Sequence, residues 1–324
     1  MLTTLHLGLG TIGREVLKAT VRRERARPVG GVDPLFAGQT LAELPDGPSV
    51  PAPVFATLAE ALSLRPEVAV LCTASTVEAV ADDLFALIAA GCHVVSTCEN
   101  LSYPWLKTPE LAERIDAAAK TAGVTVVGTG VNPGFVLDAL PVLLARPCEV
   151  VRNVRATRVV DTALRRKQLQ LKTGAGMTVA DFHAQARAGL LGHVGLAESG
   201  ALIARGLGWT VTAQQIEESI EPVLRPTTVE TAHVKAGPEL CKGQFQRVVV
   251  RGETGHTITL ELTMELGATE QFDEIIIEGE PGVHARLVGG IFGDTATAGC
   301  TANLVPQTAA ARPGLLTVLD LPLV

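Results

Sequence analysis

The glycine triplet Gly8-x-Gly10-x-x-Gly13 constrains the fold more than anything else in this sequence. An apolar run from Leu2 to Leu7 precedes it, and residues 14–21 follow with apolar positions at helical spacing. The next apolar run, Pro28 to Val32, ends on Asp33, about 20 residues beyond Gly13. Strand, glycine turn, helix, strand and acid in that order form the phosphate-binding βαβ unit of dinucleotide-binding folds. Gly8 permits the turn, Gly10 lets a pyrophosphate approach the backbone, and Gly13 lets helix and strand pack closely. The N–H groups of Thr11, Ile12 and Gly13 at the helix start then face the phosphates.

The alternation continues. Helix is expected over 57–64, strand over 67–72, and an Ala-rich helix capped by Thr76 that stops at Gly91. Strand follows over 92–97, helix from Pro109 to Ala122 and strand over 124–128, with a helix from Phe135 onward. The stretch 36–53 reads as loop. Strands apolar on both faces and separated by helices imply a doubly wound parallel sheet, a Rossmann-type α/β fold. From Glu149 the pattern changes. Strand-like alternation over 149–162, 233–235, 246–250, 256–260 and 274–277, with helices over 178–188 and 196–207, implies an α+β domain on a mixed or antiparallel sheet. With 324 residues, two domains are expected, 1–147 and 148–324.

Composition narrows the function classes. A net charge of −7 argues against nucleic acid as a partner. No apolar run approaches the ~18 residues of a membrane span, and the first residues read as structure rather than a leader. The six cysteines show no zinc spacing, so free thiols in a cytoplasmic, reducing setting are expected, and no metal site.

Ligands of a doubly wound sheet sit beyond the carboxyl ends of the strands. Asp33 there accepts from adenosine ribose hydroxyls and repels a 2′-phosphate, and residues 34–39 carry no Arg or Lys. NAD is therefore favoured over NADP. The basic cluster Arg22, Arg23, Arg25 and Arg27 reads as a solvated helix end. Thr73, Ala74 and Ser75 are placed beside the cofactor, and Thr97, Glu99 and Asn132 beside the nicotinamide. Asn132 is equally a turn residue. From position alone, Glu99 is open between a working carboxylate and a loop acid in a salt bridge. Cys98, as a nucleophile, would suit a semialdehyde- or homoserine-type dehydrogenase. Trp105, Thr173, His193 and Thr297 are candidate substrate contacts. Thr173 is equally a turn residue and His193 equally a helix cap, while Asp294 reads as the cap of a helix carrying Thr297. Arg165, Arg166 and Lys172 would anchor a substrate carboxylate if one of them points inward. A non-catalytic NADH sensor is the alternative outside enzymology.

Five segments carry a wider resemblance: 96–104, 128–135, 192–199, 289–297 and 310–317, including Ser96-Thr97-Cys98-Glu99-Asn100 and Gly192-His193-Val194-Gly195. Together with the glycine loop they resemble 2,4-diaminopentanoate dehydrogenases and related native amine dehydrogenases, within the dihydrodipicolinate-reductase-like group. The resemblance implies NAD(P)-dependent oxidative deamination of an amine, or reductive amination of a ketone or aldehyde with ammonia. It implies that Glu99 handles the ammonia nitrogen. It also implies a homodimer, with 294–324 packing back on the first domain. The His-His pair, lysine and Ser-Gly-Thr segment of tetrahydrodipicolinate-forming enzymes are missing, which argues against that reaction.

Overall fold

A computed structural model describes every residue except Leu164, Thr254, Leu323 and Val324. The chain forms two compact units, residues 1–135 with 292–324, and residues 136–291.

Unit 1 begins with β1 (Leu2–Leu7), α1 (Thr11–Arg23), β2 (Ala26–Val32) and the short β3 (Val54–Phe55). It continues with α2 (Leu58–Ala61), β4 (Val68–Leu71), α3 (Val77–Ala89), β5 (His93–Ser96), α4 (Pro109–Ala122) and β6 (Thr125–Gly128). Unit 2 holds α5 (Ala139–Leu144), β7 (Val150–Asp161), α6 (Lys167–Lys172), α7 (Val179–Arg187), α8 (Leu196–Gly206) and β8 (Ile216–Val223). It also holds the two-residue strands β9 (Val229–Glu230) and β10 (Lys235–Ala236), then β11 (Gly243–Arg251), β12 (Thr257–Glu265), β13 (Phe272–Glu280) and β14 (Val283–Val288). The chain then returns to unit 1 with α9 (Gly293–Ala310) and β15 (Gly314–Leu316).

Unit 1 is a seven-stranded sheet in the order β15-β6-β5-β4-β1-β2-β3, parallel throughout. Strand order reverses between β1 and β4, the topological switch point where such sheets bind ligands. β4 and β6 are buried along their whole length because helices cover both faces. Val80, Leu84 and Leu87 of α3 and Ile115 of α4 pack with Leu5, Ala69, Val94 and Val126 of the strands. On another flank α9 lies along α1 and across β4, β5 and β6.

Several expectations need correction. α1 starts at Thr11 rather than Arg14, because the glycine turn leads straight into it. Thr76 stands at the N-cap of α3, but its side chain makes no capping bond. The helix expected from Phe135 begins at Ala139, after the buried cap Asp138. Asp138 also accepts from Ser199 Oγ of α8 at 2.7 Å, so residues 136–147 pack with unit 2 rather than unit 1. Phe292, not Asp294, is the N-cap of α9.

Unit 2 is built on a six-stranded sheet in the order β14-β13-β7-β12-β11-β8. It is mixed: β7 and β12 run parallel and every other neighbouring pair antiparallel. The inward residues Val248, Val250 and Leu260 meet α8, and a Cβ on Gly200 would lie 2.8 Å from Val250. Residues 233–235 supply no strand to this sheet; Lys235–Ala236 pairs with Val229–Glu230 in a separate ribbon.

Candidate active site

The glycine loop shows which of its glycines the protein itself requires. Gly8 has φ +78°, and a Cβ there would lie 2.6 Å from the Cys72 carbonyl oxygen. A Cβ on Gly13 would lie 1.8 Å from the carbonyl oxygen of Gly8. Both positions are closed to side chains by backbone. A Cβ on Gly10 would meet nothing within 4 Å, so protein packing does not account for that glycine. Gly10 caps α1 without a side-chain bond, and the first turn carries no acid. The result is a helix start with open donors and uncovered space in front of them, which can hold a phosphate anion.

Asp33, at the end of β2, is tied to this loop. Its Oδ2 accepts from Leu9 N–H at 2.8 Å and its Oδ1 from Leu35 N–H at 3.0 Å. Each oxygen retains acceptor capacity for a hydroxyl. Thr73, exposed beyond β4, lies against Gly8; its methyl would be 3.1 Å from a Cβ there. Ala74 packs on the core, and the Ser75 carbonyl accepts from Asn100 N–H at 3.1 Å.

That last bond leads to Glu99. After β5, Ser96 Oγ donates to the Leu71 carbonyl at 2.9 Å and accepts from Cys98 N–H at 3.1 Å. The Thr97 N–H donates to the same Leu71 carbonyl at 3.0 Å. The chain then turns through a 3-10 helix, Glu99–Ser102. Cys98, Leu101 and Ser102 are fully buried and Asn100 nearly so, whereas Glu99 is half-buried. Beneath the turn a Cβ on Gly128 would lie 2.4 Å from the Leu101 carbonyl carbon, so β6 supports it by direct backbone contact. Glu99 thus stands on a short segment immobilised from three strands.

Asn132 lies in the loop after β6, nearly buried and followed by a cis peptide to Pro133. Thr297 arrives beside it on α9, and its hydroxyl accepts from Val131 N–H at 3.2 Å. The glycine loop, Asp33, Thr73 to Ser75, Thr97, Glu99, Asn132 and Thr297 therefore gather at the carboxyl end of one parallel sheet. Trp105 sits on the next 3-10 turn, packed on the core with its ring 5.5 Å from that of Tyr103.

The other substrate candidates lie in unit 2. Thr173 is buried, and its hydroxyl donates to the Gln170 carbonyl at 2.7 Å, closing the end of α6. The His193 peptide is held on both sides by Gln246 of β11, which accepts its N–H at 2.7 Å and donates to its carbonyl at 3.0 Å. Sequence reading passed over Gln246, although a glutamine at an inward position of an alternating strand is a signal in itself. Arg158, inward on β7, is another. Of the three cations considered as anchors, Arg165 is buried while Arg166 and Lys172 are exposed.

Burial pushes the Cys98 thiol up to about 12 and the Cys72 thiol up to about 11, the neighbouring Glu99 adding to the former. All six cysteines are free. Among the described residues no cluster of His, Cys, Asp and Glu could hold a metal ion. No helix among them is long and apolar enough to cross a membrane.

The family model for the 2,4-diaminopentanoate dehydrogenase C-terminal domain matches residues 135–324. A 2,4-diaminopentanoate dehydrogenase of Acetoanaerobium sticklandii is 32% identical over 263 residues, 79% of this chain and 74% of the relative. The chain belongs to the 2,4-diaminopentanoate dehydrogenase family. Solved structures agree on the fold. The amine dehydrogenase from Mycobacterium smegmatis matches with a TM-score of 0.85 at 23% identity, covering 99% of this chain and 96% of that one. The WlbA dehydrogenase from Bordetella pertussis, solved with NADH and UDP-GlcNAcA, matches at 0.52 and 17%, covering 89% and 79%. Within the family the two-unit architecture is therefore that of a dehydrogenase, a Rossmann-type unit joined to a mixed-sheet unit.

Proposed function

We propose that this chain is an amine dehydrogenase that oxidatively deaminates a small amine or diamino acid, such as 2,4-diaminopentanoate, and runs the reverse reductive amination with ammonia. It is an oxidoreductase on CH–NH2 donors using a nicotinamide dinucleotide. One observation carries the reading: a half-buried carboxylate, Glu99, stands on a locked turn at the carboxyl end of β5, next to the switch point at β1 and β4.

The residues present fit the cofactor. Gly10 leaves room for a pyrophosphate before the open start of α1, and Asp33 keeps acceptor capacity for ribose hydroxyls. Thr73, Ser75 and Thr97 would line the dinucleotide, with Asp33 favouring NAD. A bound nicotinamide would supply the acceptor for the hydride leaving the amine-bearing carbon. Glu99 holds the nitrogen, stabilises the positive charge that develops on it, and accepts protons from ammonium or water. Asn132 and Thr297 border the same end of the sheet. The homodimer and the cytoplasmic setting implied by the resemblance and the free thiols belong to this reading.

The test is formation of reduced nicotinamide at alkaline pH with 2,4-diaminopentanoate and a panel of plain amines. Turnover with at least one amine is expected; NADH binding without turnover on any would leave the sensor instead. A semialdehyde-type reaction would need the Cys98 thiolate, which its burial disfavours. Iodoacetamide is accordingly expected to leave activity nearly unchanged; inactivation in step with Cys98 labelling would reverse that conclusion.

A further inference from the structure

Asp33 is not the only charge at the ribose end of the crevice. Arg14, in the first turns of α1, donates from Nη1 to the Leu9 carbonyl at 2.8 Å. Its guanidinium carbon lies 5.9 Å from the centre of the Phe36 ring, on the turn that follows Asp33. The N–H of the same Leu9 donates to Asp33 Oδ2. One residue of the glycine loop thus ties a carboxylate at its nitrogen and a guanidinium at its oxygen. Among the described residues no carboxylate lies in ion-pair range of Arg14. The four arginines noted in the sequence stand elsewhere: Arg22 and Arg23 are at the far end of α1, and Arg25 and Arg27 are exposed around the start of β2.

We infer that Arg14 is a cofactor-specificity residue, and that it lets this crevice take the 2′-phosphate of NADP(H) as well as NAD(H). The inference rests on the reading that the crevice binds a nicotinamide dinucleotide. A lone aspartate at the ribose would repel a 2′-phosphate, which carries a charge of about −2 near neutrality by analogy with other phosphomonoesters. Here a guanidinium with N–H groups beyond its Leu9 bond stands at the same edge. An arginine fork suits a phosphate better than an ammonium does. The Leu9 carbonyl and the Phe36 face hold it in place, which lowers the ordering cost of using it. Asp33, with one backbone N–H already on each oxygen, keeps its role toward the unphosphorylated ribose.

The experiment is direct titration of the full chain with NADH and with NADPH, followed by nicotinamide fluorescence and calorimetry without any substrate. The natural protein is expected to bind both, and NADPH affinity is expected to fall more steeply with ionic strength. Arg14→Gln is expected to weaken NADPH at least tenfold and NADH less than threefold. Arg14→Lys is expected to restore part of the NADPH affinity. Equal loss of both dinucleotides would make Arg14 a brace for the loop or a surface for adenine, and would overturn the inference. So would no change in either, or identical salt dependence in the natural protein should Arg14→Gln fail to fold. Failure of the natural protein to bind NADPH while it binds NADH overturns it equally. Failure to bind either dinucleotide defeats the cofactor reading itself.

Discussion

Glu99→Ala is expected to lower kcat by about 10³-fold, within the range for loss of a positioned acid–base group, while NADH affinity stays within about twofold. The separation follows from where the contacts lie. Dinucleotide affinity is assigned to the glycine loop and to Asp33, which is tied to that loop through the Leu9 N–H. The turn under Glu99 is secured by Ser96, by the Ser75 carbonyl and by the close approach of Gly128, none of which needs its side chain. Removing the carboxylate should therefore leave the crevice standing without a group to carry nitrogen charge or protons. Glu99→Gln keeps the size and should be nearly as inactive. Steady-state kinetics on an accepted amine beside an NADH titration decide the matter. Parallel loss of binding and turnover would give Glu99 a structural role.

Asp273→Ala is expected to destabilise the protein by roughly 3–5 kcal/mol, the usual range for breaking one side of a buried ion pair. Asp273 on β13 and Arg158 on β7 are almost completely buried and meet at 2.8 Å. The other Asp273 oxygen accepts from Ile291 N–H at 2.8 Å, and Arg158 Nη2 donates to the Ile291 carbonyl at 2.6 Å. Burial raises the Asp273 carboxyl and lowers the Arg158 guanidinium, each against the pull of its partner, and Arg165 adds repulsion on Arg158. The pair is thus costly to bury and costlier to break. Truncating Asp273 strands a buried cation and frees the N–H of Ile291, the last residue of unit 2. Replacing both members with apolar residues, Arg158→Met with Asp273→Leu, should recover much of the loss. Urea unfolding of the two variants beside the natural protein checks this. A single-variant loss under about 1 kcal/mol would mean that water reaches the pair.

Much of unit 1 was legible because its signals are local. The glycine loop, Asp33 and the helix ends at Gly91 and Gly123 depend on backbone chemistry within a few residues. β3 and β15 were not, since two or three residues carry no periodicity, and β15 exists only by pairing with β6. The edge strands β8 and β14 were missed for another reason. Their residues are largely polar or exposed, and they are held by cross-strand partners such as Arg251 with Glu217 and Arg286 with Glu274. In the candidate site, the positions of Glu99 and Asn132 after strand ends were readable, whereas the braces behind them were not. Gln246 behind His193 belongs to the same class, a polar side chain whose partner comes from a distant turn, and so does the contact of Arg14 with the Phe36 ring on the turn after Asp33.

The order of residues alone determined the Rossmann-type unit, its glycine turn, the aspartate after β2 and the carboxylate after the fourth long strand, because φ freedom, side-chain period and charge act over short stretches of chain. Tertiary structure alone decided which of those groups is half-buried on an immovable turn and which cation shares a residue with Asp33. It also decided where the chain leaves one unit for the other. Those properties are set by desolvation and by hydrogen bonds between segments far apart in the chain, and no local pattern records them.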